Sequence, residues 1–389
     1  MNFFNKTRKQ LKAVLHHART IRCSREDIMN AAELSHLDEH IAKARQAYDA
    51  SDKNAMEEAG EALEKCLTEL NPPKPMAGWR ENFDVLVVAI SVAMAFRAYF
   101  YQPFKIPTGS MQPTLYGIHS EPLNPAAASF LDTQPFKFAK WLITGQSFKQ
   151  VHAKATGEVN ITGDTNQKPG YMLVTVSGHK HYVPSDAVLR NPMSGEVVLT
   201  GTGLRSGMRV KLGELLWSGV VTSGDFVFVN RWKWNFMHPQ RGEVMVFATT
   251  DIKDLPQGTH YIKRMTGLPN ETMQIKTPDL LVNGETITQP ERMGMIARKE
   301  LPPYGGKMAY SGFNPAPGGE GLRSRSAAKA LLTEKDIITL DADQYYAMGD
   351  NSFNSFDSRY WGAVPERNLL GPGAVVYWPF TSPRFGKIR

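Results

Sequence analysis

Phe83 to Phe104 reads FDVLVVAISVAMAFRAYFYQPF and divides the chain, with a helical pattern before it and a β pattern after it. Its uncharged, nearly all-apolar part, Val85 to Phe96, is 12 residues long. A full membrane span needs about 20, so by length alone a buried core helix competes with a span. The flanks favour the membrane: Arg97 can snorkel from the far end, and Trp79, Tyr99, Phe100 and Tyr101 offer aromatic belts. Lys65, Lys74 and Arg80 precede the segment, against Lys105 and the embedded Arg97 after it. That slight basic excess predicts a cytoplasmic N terminus. A cleaved leader is not expected, since such segments occupy roughly the first 15 to 30 residues.

Working outward toward the N terminus, residues 1–25 hold seven bases and no acid, with Leu11, Val14, Leu15 and Ile21 among them. This arm reads either as a basic amphipathic helix on a lipid surface or as a solvated charged arm. From Glu26 to Leu70 the apolar spacing is helical, first Leu34, Leu37, Ile41, Ala44 and Tyr48, then Met56, Ala59, Leu63, Leu67 and Leu70. Asp52 and Asn54 can restart the helix between the runs, so the pattern predicts a helical hairpin. Asn71-Pro72-Pro73-Lys74-Pro75 ends it as a stiff linker.

Toward the C terminus, short Val, Ile, Phe and Tyr runs are broken by Gly, Pro and Asn-Gly. Leu280-Leu281-Val282 before Asn283-Gly284 predicts a hairpin, because Asn-Gly supplies the two positive φ values of a type I′ turn. Val197 to Thr200, Phe226 to Asn230, Val244 to Phe247 and Ala374 to Trp378 read as further strands, and residues 311–328 as a mobile loop. Over 389 residues, 42% hydrophobic content is enough for a substantial core. The net charge of +7 is spread widely and no readout motif accompanies it, so nucleic acid is not an expected partner. Both cysteines, Cys23 and Cys66, lie before the apolar segment, so no disulfide can staple the β part. His179-Lys180-His181 is the histidine cluster that stands out, but no Cys or acidic residue completes a tetrahedral set with it, and neither a metal nor any cofactor is expected.

Three stretches carry chemistry: Ile106-Pro107-Thr108-Gly109-Ser110-Met111-Gln112-Pro113-Thr114-Leu115, then His260-Tyr261-Ile262-Lys263-Arg264, then Gly349-Asp350-Asn351 through Arg359-Tyr360-Trp361-Gly362. In the first, Pro107 fixes one backbone angle and Gly109 permits an unusual one, which would present the Ser110 hydroxyl; standing alone, the stretch reads rather as an ordinary Pro-Thr-Gly-Ser turn. A serine hydroxyl needs a base. Lys263 is flanked by Tyr261 and Ile262, apolar neighbours that can desolvate its amine, although a lysine is ordinarily a surface charge.

Together the three stretches resemble bacterial type I signal peptidase, with Gly224-Asp225, Arg241-Gly242-Glu243-Val244 and Gly267-Leu268-Pro269-Asn270 agreeing in order and spacing. The resemblance implies a mainly β fold, a signal-peptidase-type antiparallel catalytic domain with one N-terminal transmembrane helix and a cytoplasmic helical segment. It implies a Ser-Lys dyad of Ser110 and Lys263, an oxyanion hole of Thr108 and Ser110, and orientation of the base by Ser355, Asp357 and Arg359. Ser355 would hydrogen-bond the lysine amine. Phe104, Ile106, Met111, Leu115, Tyr261 and Ile262 would line shallow pockets for the small residues of an Ala-X-Ala site. The implied partners are signal peptides of exported preproteins, membrane lipid and the secretion translocon, at a bacterial cytoplasmic membrane with the catalytic domain outside. The expected domains are a cytoplasmic arm and hairpin (1–74), the membrane helix (83–104) and the catalytic domain (105–389), with a β module inserted at 118–222. One departure stands out: the family commonly has Arg-Asp after Gly-Asp-Asn, and this chain has Ser352-Phe353, which predicts packing in place of an ion pair. A self-cleaving repressor shares the dyad but lacks a span, and an inactive paralogue would not need both Ser110 and Lys263.

Overall fold

The computed structural model describes residues 2–72, 77–164, 168–190, 195–301, 310, 312–316, 318–319 and 329–388. Most of the loop expected at 311–328, and residues 73–76 of the linker, lie outside them. The chain divides into two compact units, Met1–Val92 and Ala93–Arg389.

In the first unit, α1 (Asn2–Arg25), α2 (Ala31–Ala50) and α3 (Lys53–Leu70) share one core. Asn30 caps α2 in a reciprocal box with Glu33, and Asp52 caps α3 by accepting from Asn54 N–H. The helical spacing puts Leu37, Ile41 and Ala44 of α2 and Met56, Leu63 and Leu67 of α3 on facing stripes. The arm is a third member of this bundle: Leu11, Leu15, Ala18 and Ile21 of α1 are buried in the same core. Its apolar face is therefore occupied by α2 and α3 and is neither a lipid contact nor a solvated arm.

The fourth helix, α4 (Ala77–Tyr99), contains a 19-residue stretch, Glu81–Tyr99, of mean hydropathy 1.5, long and apolar enough to cross a membrane. None of its hydropathy window is buried within the protein, and Val85, Leu86, Val88, Ile90, Val92 and Met94 are all exposed. A soluble core helix would have buried these side chains.

The second unit is antiparallel β. Among the described residues, eight strands form the main sheet, in the order Tyr101–Lys105, Phe226–Asn230, Leu369–Trp378, Val244–Ala248, His260–Gly267, Gln344–Met348 and Val364–Pro365, with Gly386–Lys387 beside Leu369–Trp378. Val244–Ala248 lies mid-sheet and is buried on both faces, which its unbroken apolar run allows. A four-stranded sheet carries the predicted hairpin: Asn283 and Gly284 take φ of 52° and 87°, and Val282 pairs with Glu285 across them. Residues 118–221 contribute a separate core around Val174, Val176, Leu216 and Trp217, with strands His119–Pro122, Leu215–Thr222 and Gln146–His152 forming one of its sheets.

Candidate active site

Ser110 sits in a single 3-10 turn, Gly109–Met111, directly after the edge strand Tyr101–Lys105. Gly109 does not take a positive φ, so the unusual angle expected there is not what shapes the turn. The turn is held by its surroundings: Asp225 accepts from Ile106 N–H at 2.8 Å, and Ser110 C=O accepts from Asn351 N–H at 3.1 Å. Asp225 is fully buried, its carboxylate held by Arg384 at 2.7 and 2.9 Å, and it also accepts from Tyr116 N–H at 2.7 Å.

Lys263 projects from the strand His260–Gly267, where it pairs with Met245, and reaches Ser110 from 153 positions away in sequence. Lys263 Nζ and Ser110 Oγ are 2.8 Å apart, and both residues are buried, at 5% exposure each. Burial pushes the lysine pKa down to about 8; Arg359 acts in the same direction, while Asp357 and Asp350 pull it back up. The Tyr261 ring, with its centroid 5.6 Å from Nζ, forms part of the surrounding wall. A neutral amine at this distance can accept the hydroxyl proton.

Asp357 and Arg359 are fully buried and paired by bonds of 2.8 and 2.9 Å. Asp357 also accepts from Gly349 N–H at 2.9 Å, and Arg359 donates to the carbonyls of Asn314, Ser352 and Ser355. One ion pair thus fixes the loop that faces Lys263. Ser355 differs from expectation: its Oγ is buried with no hydrogen-bond partner among the described residues, and the amine bonds Ser110 instead. Thr108 is exposed beside the serine, at extended backbone angles.

The six residues expected to line pockets separate into two groups. Ile106, Met111 and Leu115 are buried at 2%, 0% and 0% exposure, so they are core beneath the site and have no surface for a substrate to touch. Phe104, Tyr261 and Ile262 are half-buried and can contact one. At the departure after Gly349-Asp350-Asn351, Phe353 is 64% exposed and does not replace an ion pair by packing. Buried Ser352 does so by hydrogen bonding, accepting from Arg359 at its carbonyl and from Asn314 at its hydroxyl. His181 of the His179-Lys180-His181 stretch is buried, its Nε2 accepting from Lys154 N–H at 3.0 Å.

Sequence reasoning missed one cluster. Arg264, next to Lys263, pairs with Asp350, and Thr114, four residues beyond Ser110, bonds both. All three residues lie in the quoted stretches, so the signal was their company and not their individual type.

A family model described as "Signal peptidase, peptidase S26" matches residues 218–378, which include Lys263 and the Asp357–Arg359 pair and exclude Ser110. A curated relative from Pseudomonas aeruginosa, named signal peptidase I, is 29% identical over 42% of this chain and 62% of its own length. A probable signal peptidase I-2 from Synechocystis is 28% identical over 49% of this chain and 74% of its own, and signal peptidase I of Leptolyngbya laminosa 30% identical over 40% and 61%. The chain thus spans about three fifths of two of these three relatives and about three quarters of the other. The shared region is the one that carries the lysine strand and its ion-paired loop, and over it this chain is similar to the type I signal peptidases and matches the S26 signal peptidase family model.

Proposed function

We propose that this chain is a membrane-anchored endopeptidase that removes N-terminal signal peptides from exported preproteins. The observation that carries the reading is a buried amine 2.8 Å from a serine hydroxyl, with the amine's pKa lowered to about 8. Ser110 Oγ attacks the scissile carbonyl carbon while its proton passes to Lys263 Nζ. The carbonyl oxygen becomes an oxyanion that the Ser110 N–H and the Thr108 hydroxyl stabilise. When the C–N bond breaks, the lysine returns the proton to the leaving amine, which becomes the new N terminus of the mature protein. Water then attacks the Ser110 ester while Lys263 takes a proton from it; as the ester C–O bond breaks the lysine returns that proton to Ser110 Oγ, and the signal peptide leaves as a carboxylic acid that ionises in water. Asp357 and Arg359 hold the loop that packs against the base.

Shallow contact with Phe104, Tyr261 and Ile262 suits small residues at the first and third positions before the cut, as in Ala-X-Ala. Helix α4 serves as the single membrane span, with the N-terminal bundle cytoplasmic and the β unit outside, where signal peptides emerge. Membrane lipid and the translocon are the corresponding partners. Residues 118–222 form an insert with its own core. The test is to incubate detergent-solubilised protein with a preprotein carrying Ala-X-Ala and to sequence the new N terminus. Cleavage directly after that site is expected; an intact preprotein, or a cut elsewhere, overturns the reading.

A further inference from the structure

The helical bundle of the first unit holds a group of side chains that the peptidase chemistry does not use. His36 and His40 are one turn apart on α2, and Cys66 faces them from α3. One ligand atom from each residue lies within 4.8 Å of the others. Cys66 is buried, His40 half-buried and His36 exposed, so the group opens to solvent at one edge.

We propose that His36, His40 and Cys66 bind a thiophilic divalent transition metal ion, and that Zn2+ is the ion they fit. Imidazole nitrogen and thiolate sulfur are both usual ligands of this ion, and three protein ligands leave its fourth position for water. Zn–N bonds near 2.05 Å and a Zn–S bond near 2.3 Å set the N-to-S edge of a tetrahedron at about 3.6 Å. His36 Nδ1 and Cys66 Sγ are 3.6 Å apart. The second histidine is prepared as well: His40 Nδ1 is 2.9 Å from His36 C=O. A carbonyl only accepts, so Nδ1 carries the proton and the lone pair of neutral His40 lies on Nε2. Such a second bond is the usual way a metal-binding imidazole is oriented. Binding exchanges the thiol proton for the ion, releasing one H+ as the S–Zn bond forms. The bound ion clamps α2 to α3.

The histidine cluster that stands out in the sequence, His179-Lys180-His181, has no Cys or acidic residue to complete a metal site. The pair that counts is spaced for one face of a helix, and its cysteine comes 30 positions after His36. Helix packing alone brings them together.

The test uses full-length protein in detergent, stripped with a chelator and titrated with Zn2+ against a chromophoric competitor, and separately with Co2+. The expected result is one ion per chain, tetrahedral Co2+ absorption with a thiolate charge-transfer band, and loss of that band in Cys66→Ser. His36→Ala, a change at an exposed position, keeps the bundle folded and weakens Zn2+ by at least about tenfold, the loss that even an outer partner causes. Cys23→Ser, exposed on α1, retains the band. No stoichiometric binding by the wild type, a band that survives Cys66→Ser, or one that depends on Cys23 overturns the proposal.

Discussion

Arg264 and Asp350 form a buried two-bond ion pair, Nε to Oδ1 at 2.6 Å and Nη2 to Oδ2 at 2.8 Å, with 1% and 0% side-chain exposure. Thr114 closes the cluster by donating to Asp350 Oδ2 and accepting from Arg264 Nη2. Because Arg264 follows Lys263 and Asp350 precedes the loop that packs on it, the pair fixes the register of two of the three stretches that build the site. Asp350→Asn leaves a buried guanidinium without its counter-charge and is expected to cost about 3 to 5 kcal/mol in denaturant unfolding. A loss below about 1 kcal/mol, the range of exposed pairs, would remove this cluster from the scaffold.

Thr108 is exposed, so its hydroxyl contributes little to folding. If it donates to the oxyanion, Thr108→Val lowers kcat by about 10²- to 10³-fold while the unfolding midpoint stays unchanged. An unchanged kcat on a model preprotein would leave the Ser110 N–H as the one proposed donor.

Ser355 makes the opposite prediction. Its hydroxyl is buried and unpaired among the described residues, and such a group costs about 1 to 3 kcal/mol. Ser355→Ala is therefore expected to leave stability unchanged or raise it by about 1 kcal/mol. A clear loss of stability would mean that the hydroxyl has a partner in solution, Lys263 being the one the family resemblance implies. Gly349 sits against the same hydroxyl: a Cβ there would come within 2.3 Å of Ser355 Oγ and 2.5 Å of Ser110 C=O. The loop and the Ser110 turn are thus in direct contact at this glycine.

What the sequence made legible followed local periodicity and local turn chemistry. The Asn283-Gly284 hairpin, the two helices after residue 30 and the strands at Phe226–Asn230 and Val244–Ala248 each depend on neighbours within a few residues, and each stands where the pattern put it. Long-range pairings were not legible. Nothing near Asp225 announces Arg384, 159 positions away, and the apolar stripe of α1 could not declare that α2 and α3 would cover it. Burial at the site was not legible for the same reason: the resemblance implied pocket walls at Met111 and Leu115, yet the strands Phe226–Asn230 and Val244–Ala248 enclose them.

The lowered lysine pKa has a stability signature. Between pH 8 and 10.5 the unfolded chain still holds the Lys263 proton that the folded chain has lost, so folding gains stability as pH rises through that window. The gain amounts to roughly 3 kcal/mol. Lys263→Met lacks it, so the variant's stability relative to wild type is expected to be greatest near pH 7 and to fall by about that amount by pH 10.5. A difference that stays constant across the window would mean that the amine is not desolvated in the folded state.

The central claim is that Lys263 works by losing its proton, and the most direct measurement is kcat/KM against pH for wild type and for Lys263→Arg. The account predicts a wild-type acid limb near pH 8, where the free amine appears, and no cleavage by folded Lys263→Arg at any pH, since a guanidinium keeps its proton. Substantial cleavage by folded Lys263→Arg, or a wild-type profile that is flat through pH 8, would contradict it.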